Sequence, residues 1–347
     1  MKFARGFDTF KYSATRDKDQ THDKKICTLF PVQCHWYEET MNSVQNQRFH
    51  TNQEHIHKMH DTYLYFGYHN LYSLGMMFGL LFCIAGCTKR SLVHTDTISA
   101  KEKYQLRVMT VNIGHGRGGS AHQLLVGKKK HTTNLQRIAS ILREYDVDIA
   151  ALQEIDAPSF WSARLDQTKV LAKQSELSYS FHGSHVRMMN LNYGTAILSK
   201  YKTVDSFSTT FQPHPPLPNK GFVISQVQTE FYPSPIIVVS LHLDFARTDV
   251  RREQLHEVSK TIETLPPSPL IVMGDYNMEW SELLADFCKK HALQAFSPHI
   301  GQATFPRTQK RLDWILISEP LHFTAYHVLP DILSDHNAVL ATIEVKE

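Results

Sequence analysis

The sequence predicts an α/β protein whose sheets carry helices on their outer faces. Three observations support this. From residue 106 onward, apolar and β-branched runs alternate with stretches of helical periodicity; the strands outnumber the helices; and the helices fall between strand pairs. Of 347 residues, 42% are hydrophobic and 20% charged. That is a globular composition, which excludes a wholly disordered, collagen-like or coiled-coil chain.

The elements follow in order. Residues 106–113 are a β-branched run, and 132–144 place Leu135, Ile138, Ala139, Ile141 and Leu142 at helical spacing. Residues 147–152 read as a buried strand and 193–198 as another. Residues 222–231 alternate weakly, while 236–243 are almost continuously apolar, as suits a strand covered on both faces. A helix over 247–265 ends at Pro266-Pro267. Then come a strand at 270–273, a helix at 280–291, and strands at 312–317 and 338–345. No internal repeat at a fixed period and no low-complexity tract appears in the sequence.

The first 87 residues differ from the rest. They are rich in His and aromatic residues without periodicity, and hold Cys27, Cys34, Cys83 and Cys87; only Cys288 lies beyond them. The later part therefore has no internal disulfide, and cysteine spacing says nothing of its compartment. Residues 71–86 carry no charge, a length short for a spanning helix and suited to the apolar region of a signal peptide. They end in Ile84-Ala85-Gly86-Cys87, which resembles the bacterial lipobox, with Cys87 as the lipidated residue and Thr88-Lys89-Arg90 opening a polar tether. The upstream residues fit an internal start near Met59. An uncleaved anchor extended by 62–70, or a buried apolar helix with a chance motif, are the alternatives. The expected organisation is a poorly structured or untranslated 1–70, a signal peptide or anchor at 71–87, a linker at 88–104 and one domain over 105–347. The expected location is the outer side of a bacterial membrane, with a cytoplasmic enzyme as the alternative.

Lys and Arg number 37 against 34 Asp and Glu, a net +3. A protein that coats nucleic acid shows a stronger basic excess, so that class is excluded, whereas an enzyme acting on a phosphate ester is not. The candidate chemistry sits at strand ends: Asn112, Glu154, His242, the pair Asp275 and Asn277, and Asp335-His336 before the last strand, with Asp313 inside a strand. Singly, each reads as a solvated or core residue. Together, acidic, amide and imidazole side chains at successive strand ends point to one convergent site. Carboxylate oxygens suit Mg²⁺ or Mn²⁺, and the tight His and Cys spacing of a zinc site is missing.

The segments TVNI (110–113), LQEID (152–156), YGTAILSK (193–200), SLHLD (240–244), GDYN (274–277), RLDWILIS (311–318) and SDHNAV (334–339) resemble, in order, the motifs of the endonuclease/exonuclease/phosphatase superfamily with its DNase I-like fold. The resemblance spans residues 106–345 and implies a four-layered α/β/β/α sandwich of two packed mixed sheets. It implies metal-assisted attack of water on phosphorus in a phosphoric ester. By the same resemblance, Glu154 is the principal Mg²⁺ ligand with Asn112 beside it, and Asp335 aids the metal or the phosphate. Asp275 orients or deprotonates water, Asn277 holds a phosphate oxygen, and His242 contacts phosphate or the leaving group. Asp313 and His336 form a carboxylate–imidazole pair. Gly114 departs from repair-type relatives, which carry an acid there, and this argues against a second metal ligand at that position. The substrate class stays open among nucleic acid, phospholipid headgroup and sugar or inositol phosphate. A tethered phosphate-binding protein without turnover and an intracellular repair endonuclease are the rival readings.

Three features lie outside these motifs. The run Gly114-His115-Gly116-Arg117-Gly118-Gly119 lacks the Lys-Ser/Thr of a phosphate loop and reads as a mobile rim, with Arg117 as a candidate substrate contact. Residues 127–131 (GKKKH) read as a solvated basic loop able to meet phosphate or anionic lipid. Residues 213–219 (PHPPLPN) read as a rigid surface spacer. No feature points to an obligate protein partner.

Overall fold

The computed structural model describes residues 105–230 and 232–345. The readings on 1–104, Cys87 included, lie outside these residues, as does Phe231. The first half of the domain runs β1 (Gln105–Asn112), α1 (Lys128–Glu144), β2 (Ile149–Asp156), α2 (Gln167–Ser175), β3 (Tyr179–Met188), β4 (Leu191–Ser199), β5 (Thr203–Thr210) and β6 (Gly221–Val227). The second half runs β7 (Ile236–His242), α3 (Thr248–Glu263), β8 (Leu270–Asp275), α4 (Glu282–Lys290), β9 (Leu293–Ala295), β10 (Asp313–Ser318), β11 (Leu321–Ile332) and β12 (Asn337–Val345).

Two six-stranded mixed sheets result, ordered β11-β12-β1-β2-β4-β3 and β5-β6-β7-β8-β10-β9. Each has one parallel pair at its centre, β1/β2 and β7/β8, flanked by antiparallel neighbours. Because side chains alternate along a strand, each central strand feeds two cores. Val108, Ile149, Ala151 and Ile197 meet Val223, Val238, Ile271 and Ile315 between the sheets. On the outer faces, Val111 and Leu152 pack on Leu135, Ile138 and Leu142 of α1. Val239, Val272 and Leu316 pack on Leu255 and Val258 of α3 and on Leu284 and Phe287 of α4. Each such side chain contributes about 1.5–3 kcal/mol when fully buried. The layers are therefore helix, sheet, sheet, helix, and the apolar continuity of β7 has its cause in this double burial.

The eight strands visible in the sequence are the inner ones. The four it does not show, β3, β5, β9 and β11, are the edges of both sheets. The burial of β5 alternates between exposed and half-buried positions, so no apolar run marks it. The sequence also leaves α2 unmarked. Residues 128–130 are the exposed first turn of α1 rather than a loop, and His131 is fully buried with its Nδ1 3.2 Å from the Gly116 carbonyl.

The halves β1–β6 and β7–β12 follow one plan. A parallel pair is bridged by a helix; a second helix leads to a hairpin whose second strand returns to that pair; two more strands then join the opposite sheet. The sequence carries no trace of this duplication, because packing preserves the plan without preserving residues. None of the described helices is long and apolar enough to cross a membrane.

Candidate active site

Both parallel pairs end on the same side of the sandwich, and their last residues touch. Asn112 closes β1 and donates from Nδ2 to Asp275 Oδ2, at the end of β8, over 3.0 Å. Asn112 Oδ1 accepts the Gly114 N–H at 3.0 Å. His242, the last residue of β7, places Nε2 3.5 Å from the same Asp275 oxygen. Asp275 Oδ1 accepts the Asn277 N–H at 2.9 Å, and Asn277 Nδ2 donates to the Leu243 carbonyl, so that turn is fastened to β7. In the motif 240–244, Asp244 fastens the turn that leads into α3: its Oδ1 accepts the N–H groups of Ala246 and Arg247, each at 2.8 Å, and its Oδ2 accepts from Arg247 Nη2 at 2.8 Å.

Asp313 opens β10 directly across from Asp275. Its N–H and that of Leu312 both donate to Thr304 Oγ1. Asp313 Oδ2 lies 2.9 Å from His336 Nδ1, and His336 Nε2 lies 3.8 Å from Asp275 Oδ2. Ser334 positions this histidine by donating to the Asn112 carbonyl while accepting the His336 N–H. Burial alone would lower the His336 imidazole, but Asp313 and Asp275 raise it to about 10. Burial, with Asp313 adding to it, raises the Asp275 carboxyl to about 6, against the opposing effects of His336 and Asn112. Burial, reinforced by Lys220, pushes His242 well below the usual imidazole range.

Glu154 sits at a bulge near the end of β2 with φ of 49°. Its carboxylate faces three cations or potential cations: His115 Nε2 at 3.5 Å, Arg117 Nη1 at 3.6 Å and Lys220 Nζ at 4.0 Å. Burial would raise this carboxyl, yet His115, Lys220, His242 and Arg117 together hold it far below the ordinary carboxylate range. Lys220, just before β6, has a side chain 12% exposed, with Nζ 3.1 Å from His242 Nε2. Burial lowers its ammonium, opposed by Glu154, Asp275 and Asp244.

The structure thus brings Asn112, Glu154, His242, Asp275, Asn277, Asp313, Asp335, His336 and Arg117 to one mouth. Arg117 spans two carboxylates, with Nη2 2.6 Å from Asp335 Oδ2. It lies across Gly114, where an added Cβ would come within 2.7 Å of Nη1. The Arg117 guanidinium therefore fills the space that a side chain at position 114 would need. The reading of 114–119 as a mobile rim is corrected at His115, which is buried in a short 3₁₀ turn. His115 Nδ1 lies 3.0 Å from Asp156 Oδ1, and Asp156 Oδ2 accepts the Trp161 indole N–H at 2.9 Å. Sequence reasoning missed this second carboxylate–imidazole pair and missed Lys220. Asp156 was already within LQEID and offered a signal; Lys220 follows a proline-rich loop and offered none.

Oxygen donors alone come from Glu154, Asp335 and the Asn112 amide, and Asn112 Oδ1 keeps a second lone pair. This donor set fits a hard divalent cation such as Mg²⁺ or Mn²⁺. Asp275, Asp313 and His336 also bring ligand atoms within 4.8 Å of one another. His336 Nδ1 is already engaged by Asp313 at 2.9 Å, which leaves its Nε2 and the Asp275 carboxylate facing the mouth.

A two-sheet α/β/β/α sandwich with its polar cluster where both parallel pairs end defines the DNase I-like class of fold. The family model described as "Endonuclease/Exonuclease/phosphatase family" matches residues 109–336. The chain belongs to that family. Among solved structures it is similar to an endonuclease/exonuclease/phosphatase from Beutenbergia cavernae DSM 12333, with TM-score 0.59, 18% identity, and 70% of this chain and 72% of that one covered. A family member from Bacteroides vulgatus aligns with TM-score 0.56 and 17% identity over 70% of this chain and 100% of that one. A mannosyl-6-phosphatase of Bacteroides thetaiotaomicron VPI-5482 aligns with TM-score 0.53 and 17% identity over 70% and 100%. No curated protein matches the sequence.

Proposed function

We propose that the chain is a divalent-cation-dependent phosphoric ester hydrolase that directs water onto phosphorus. The observation that carries this reading is the setting of Asp275: its carboxylate is held by Asn112 at 3.0 Å and faced by His242 at 3.5 Å and His336 at 3.8 Å. A base raised to about 6 is poised to accept a proton near neutrality. In this reading Asp275 Oδ2 orients the attacking water and accepts its proton. His336, kept as imidazolium by Asp313, donates to a phosphate oxygen from Nε2. His242 Nε2 faces the same space, and Lys220 and Arg117 add positive charge toward the phosphate. Asn277 retains one Nδ2 hydrogen for a phosphate oxygen beside its bond to Leu243. A cation held by Glu154, Asn112 and Asp335 would supply Lewis-acid neutralisation of phosphate charge when bound.

Membership of a phosphoesterase family supports the reaction class, and the mannosyl-6-phosphatase neighbour supports a phosphomonoester among the substrates to be tried. For location, the bacterial cell envelope with a tether at Cys87 is proposed on the motif at 84–87 alone. Incorporation of labelled palmitate that persists in Cys87→Ser refutes that tether. The activity test uses the purified full chain with aryl phosphate monoesters and diesters, then plasmid DNA, sphingomyelin and sugar or inositol phosphates. Turnover in Mg²⁺ or Mn²⁺ that stops with chelator and is lost in Glu154→Gln and Asp275→Asn is the expected result. No turnover on any substrate, or variants equal to the parent, overturns the proposal.

A further inference from the structure

Beside the mouth, the turn at Gln123–Leu125 packs against the turn at Phe160–Ser162. The Phe160 N–H donates to the Asn190 carbonyl at 3.0 Å, which fastens the second turn to the tip of the β3–β4 hairpin. These three segments carry large apolar side chains into solvent. Leu125 is 76% exposed and Met189 64%, while Leu124, Phe160 and Met188 are each about half exposed. The first turn is anchored by buried Gln123 and Val126, and by the Leu124 N–H donating to His122 Nδ1. Its two leucines are thereby held outward rather than folded under. Clustered exposed apolar groups of this kind mark an interaction surface.

The charge around them selects the partner. Lys128, Lys129 and Lys130 stand exposed on the first turn of α1, and Arg164 and Arg187 are exposed on the other two segments. No acidic residue occurs in 120–131, 157–165 or 186–192. Four of the five exposed apolar side chains are leucine or methionine, which offer nothing to a nucleic-acid backbone and no ring for stacking on bases; Phe160 alone carries one. Apolar tips ringed by lysine and arginine complement an anionic bilayer, where the tips enter the interfacial region and the cations meet headgroup phosphate.

We infer that these three loops form a docking surface for an anionic lipid bilayer. Leu124, Leu125, Phe160 and Met189 enter the interface, and Lys128–Lys130 lie at the headgroups. Trp161, next to Phe160, bonds Asp156, and Asp156 pairs with His115 before Glu154. Docking therefore brings the mouth of the site to the membrane plane. This surface is independent of the hydrolase reading and of the segment at 71–87.

The test reads depth at one residue, so attachment elsewhere in the chain does not imitate it. In the full chain, Leu125→Trp adds an emission measured as the difference from the parent. With vesicles of phosphatidylcholine and phosphatidylglycerol carrying brominated acyl chains, that emission shifts to the blue and is quenched. Replacing Lys128, Lys129 and Lys130 by Ser in the same variant raises the lipid concentration needed for half-quenching by about fivefold per lysine. Difference emission that stays unshifted and unquenched with vesicles present overturns the proposal. So does quenching unchanged by the lysine substitutions or by omission of phosphatidylglycerol.

Discussion

Asp313 Oδ2 lies 2.9 Å from His336 Nδ1, while Asp313 Oδ1, equally buried, has no hydrogen-bond partner among the described residues. The carboxylate's charge is therefore directed at one imidazole with little competition. Asp313→Asn removes that charge and allows the wrong tautomer. The expected outcome is a fall in kcat of roughly 10²–10⁴-fold with KM nearly unchanged. Steady-state kinetics beside a thermal melt checks this; a variant with kcat near the parent's contradicts the role given to the pair.

Lys220 is the cation that sequence reasoning missed, 3.1 Å from His242 and 4.0 Å from Glu154. Lys220→Met keeps most of the packed stem and removes the ammonium. If this amine faces substrate phosphate, kcat/KM falls about 10–100-fold, and inhibition by inorganic phosphate or vanadate weakens in parallel. Unchanged inhibition constants in a folded Lys220→Met protein assign the lysine a structural role only.

His185 occupies room left by Gly194 and Gly221, with its Nε2 3.0 Å from Thr195 Oγ1. Burial, with His182 and Lys220 adding to it, pushes this imidazole down to about 3. In the unfolded chain it titrates near 6.5, so between these values the unfolded state binds the extra proton. The stability from this group is fully present above about pH 6.5 and is lost as pH falls toward 3. Urea unfolding at pH 7 and pH 5 is expected to show about 2 kcal/mol of loss from this group. His185→Gln removes that part of the pH dependence, and an identical pH profile in the variant contradicts the assignment.

Gly274 precedes Asp275 with φ of 151°, and an added Cβ would stand 2.1 Å from the Leu241 carbonyl oxygen of the neighbouring strand. Gly274→Ala forces β8 away from β7 at the point where Asp275 is aimed. A loss of roughly 2–4 kcal/mol in denaturant unfolding is expected, with turnover reduced beyond that of a control core substitution such as Ile315→Val. Wild-type stability in Gly274→Ala would show that the strands part without strain.

The sequence made the chemistry legible because the site residues sit at the ends of strands whose interiors must be apolar. Asn112 after an apolar run, and Asp275 at the end of LIVMG, stand out against their neighbours. Cations that approach through space have no such contrast. Lys220 reaches Glu154 across 66 positions of chain, and Arg117 reaches Asp335 across 218. His115 was visible, but glycines on both sides suggested mobility where Asp156, Trp161 and Gln167 hold it in place.

By itself the sequence pointed to the inner strands β1, β2, β4, β6, β7, β8, β10 and β12, because burial on two faces leaves short β-branched or apolar runs, with β6 showing only weak alternation. It determined the order of motifs and the acidic, amide and imidazole set. Tertiary structure decided the edge strands, whose wet side tolerates Ser, Thr and His. It also decided the duplicated plan and what that plan does to the site. In register, Asp275, Asp313 and His242 of one half stand where Gln153, Thr195 and Asn112 stand in the other. Continuing the β1/β12 register by two residues sets Asn337 beside Asn112 as Gly221 is beside His242, so His336 answers to Lys220. At these four register-equivalent positions one half thus carries acid–base groups, and the other carries neutral side chains and Lys220. That division arises where the two sheets meet, because charges on separate strands acquire partners only when packing sets their ends within a few ångströms.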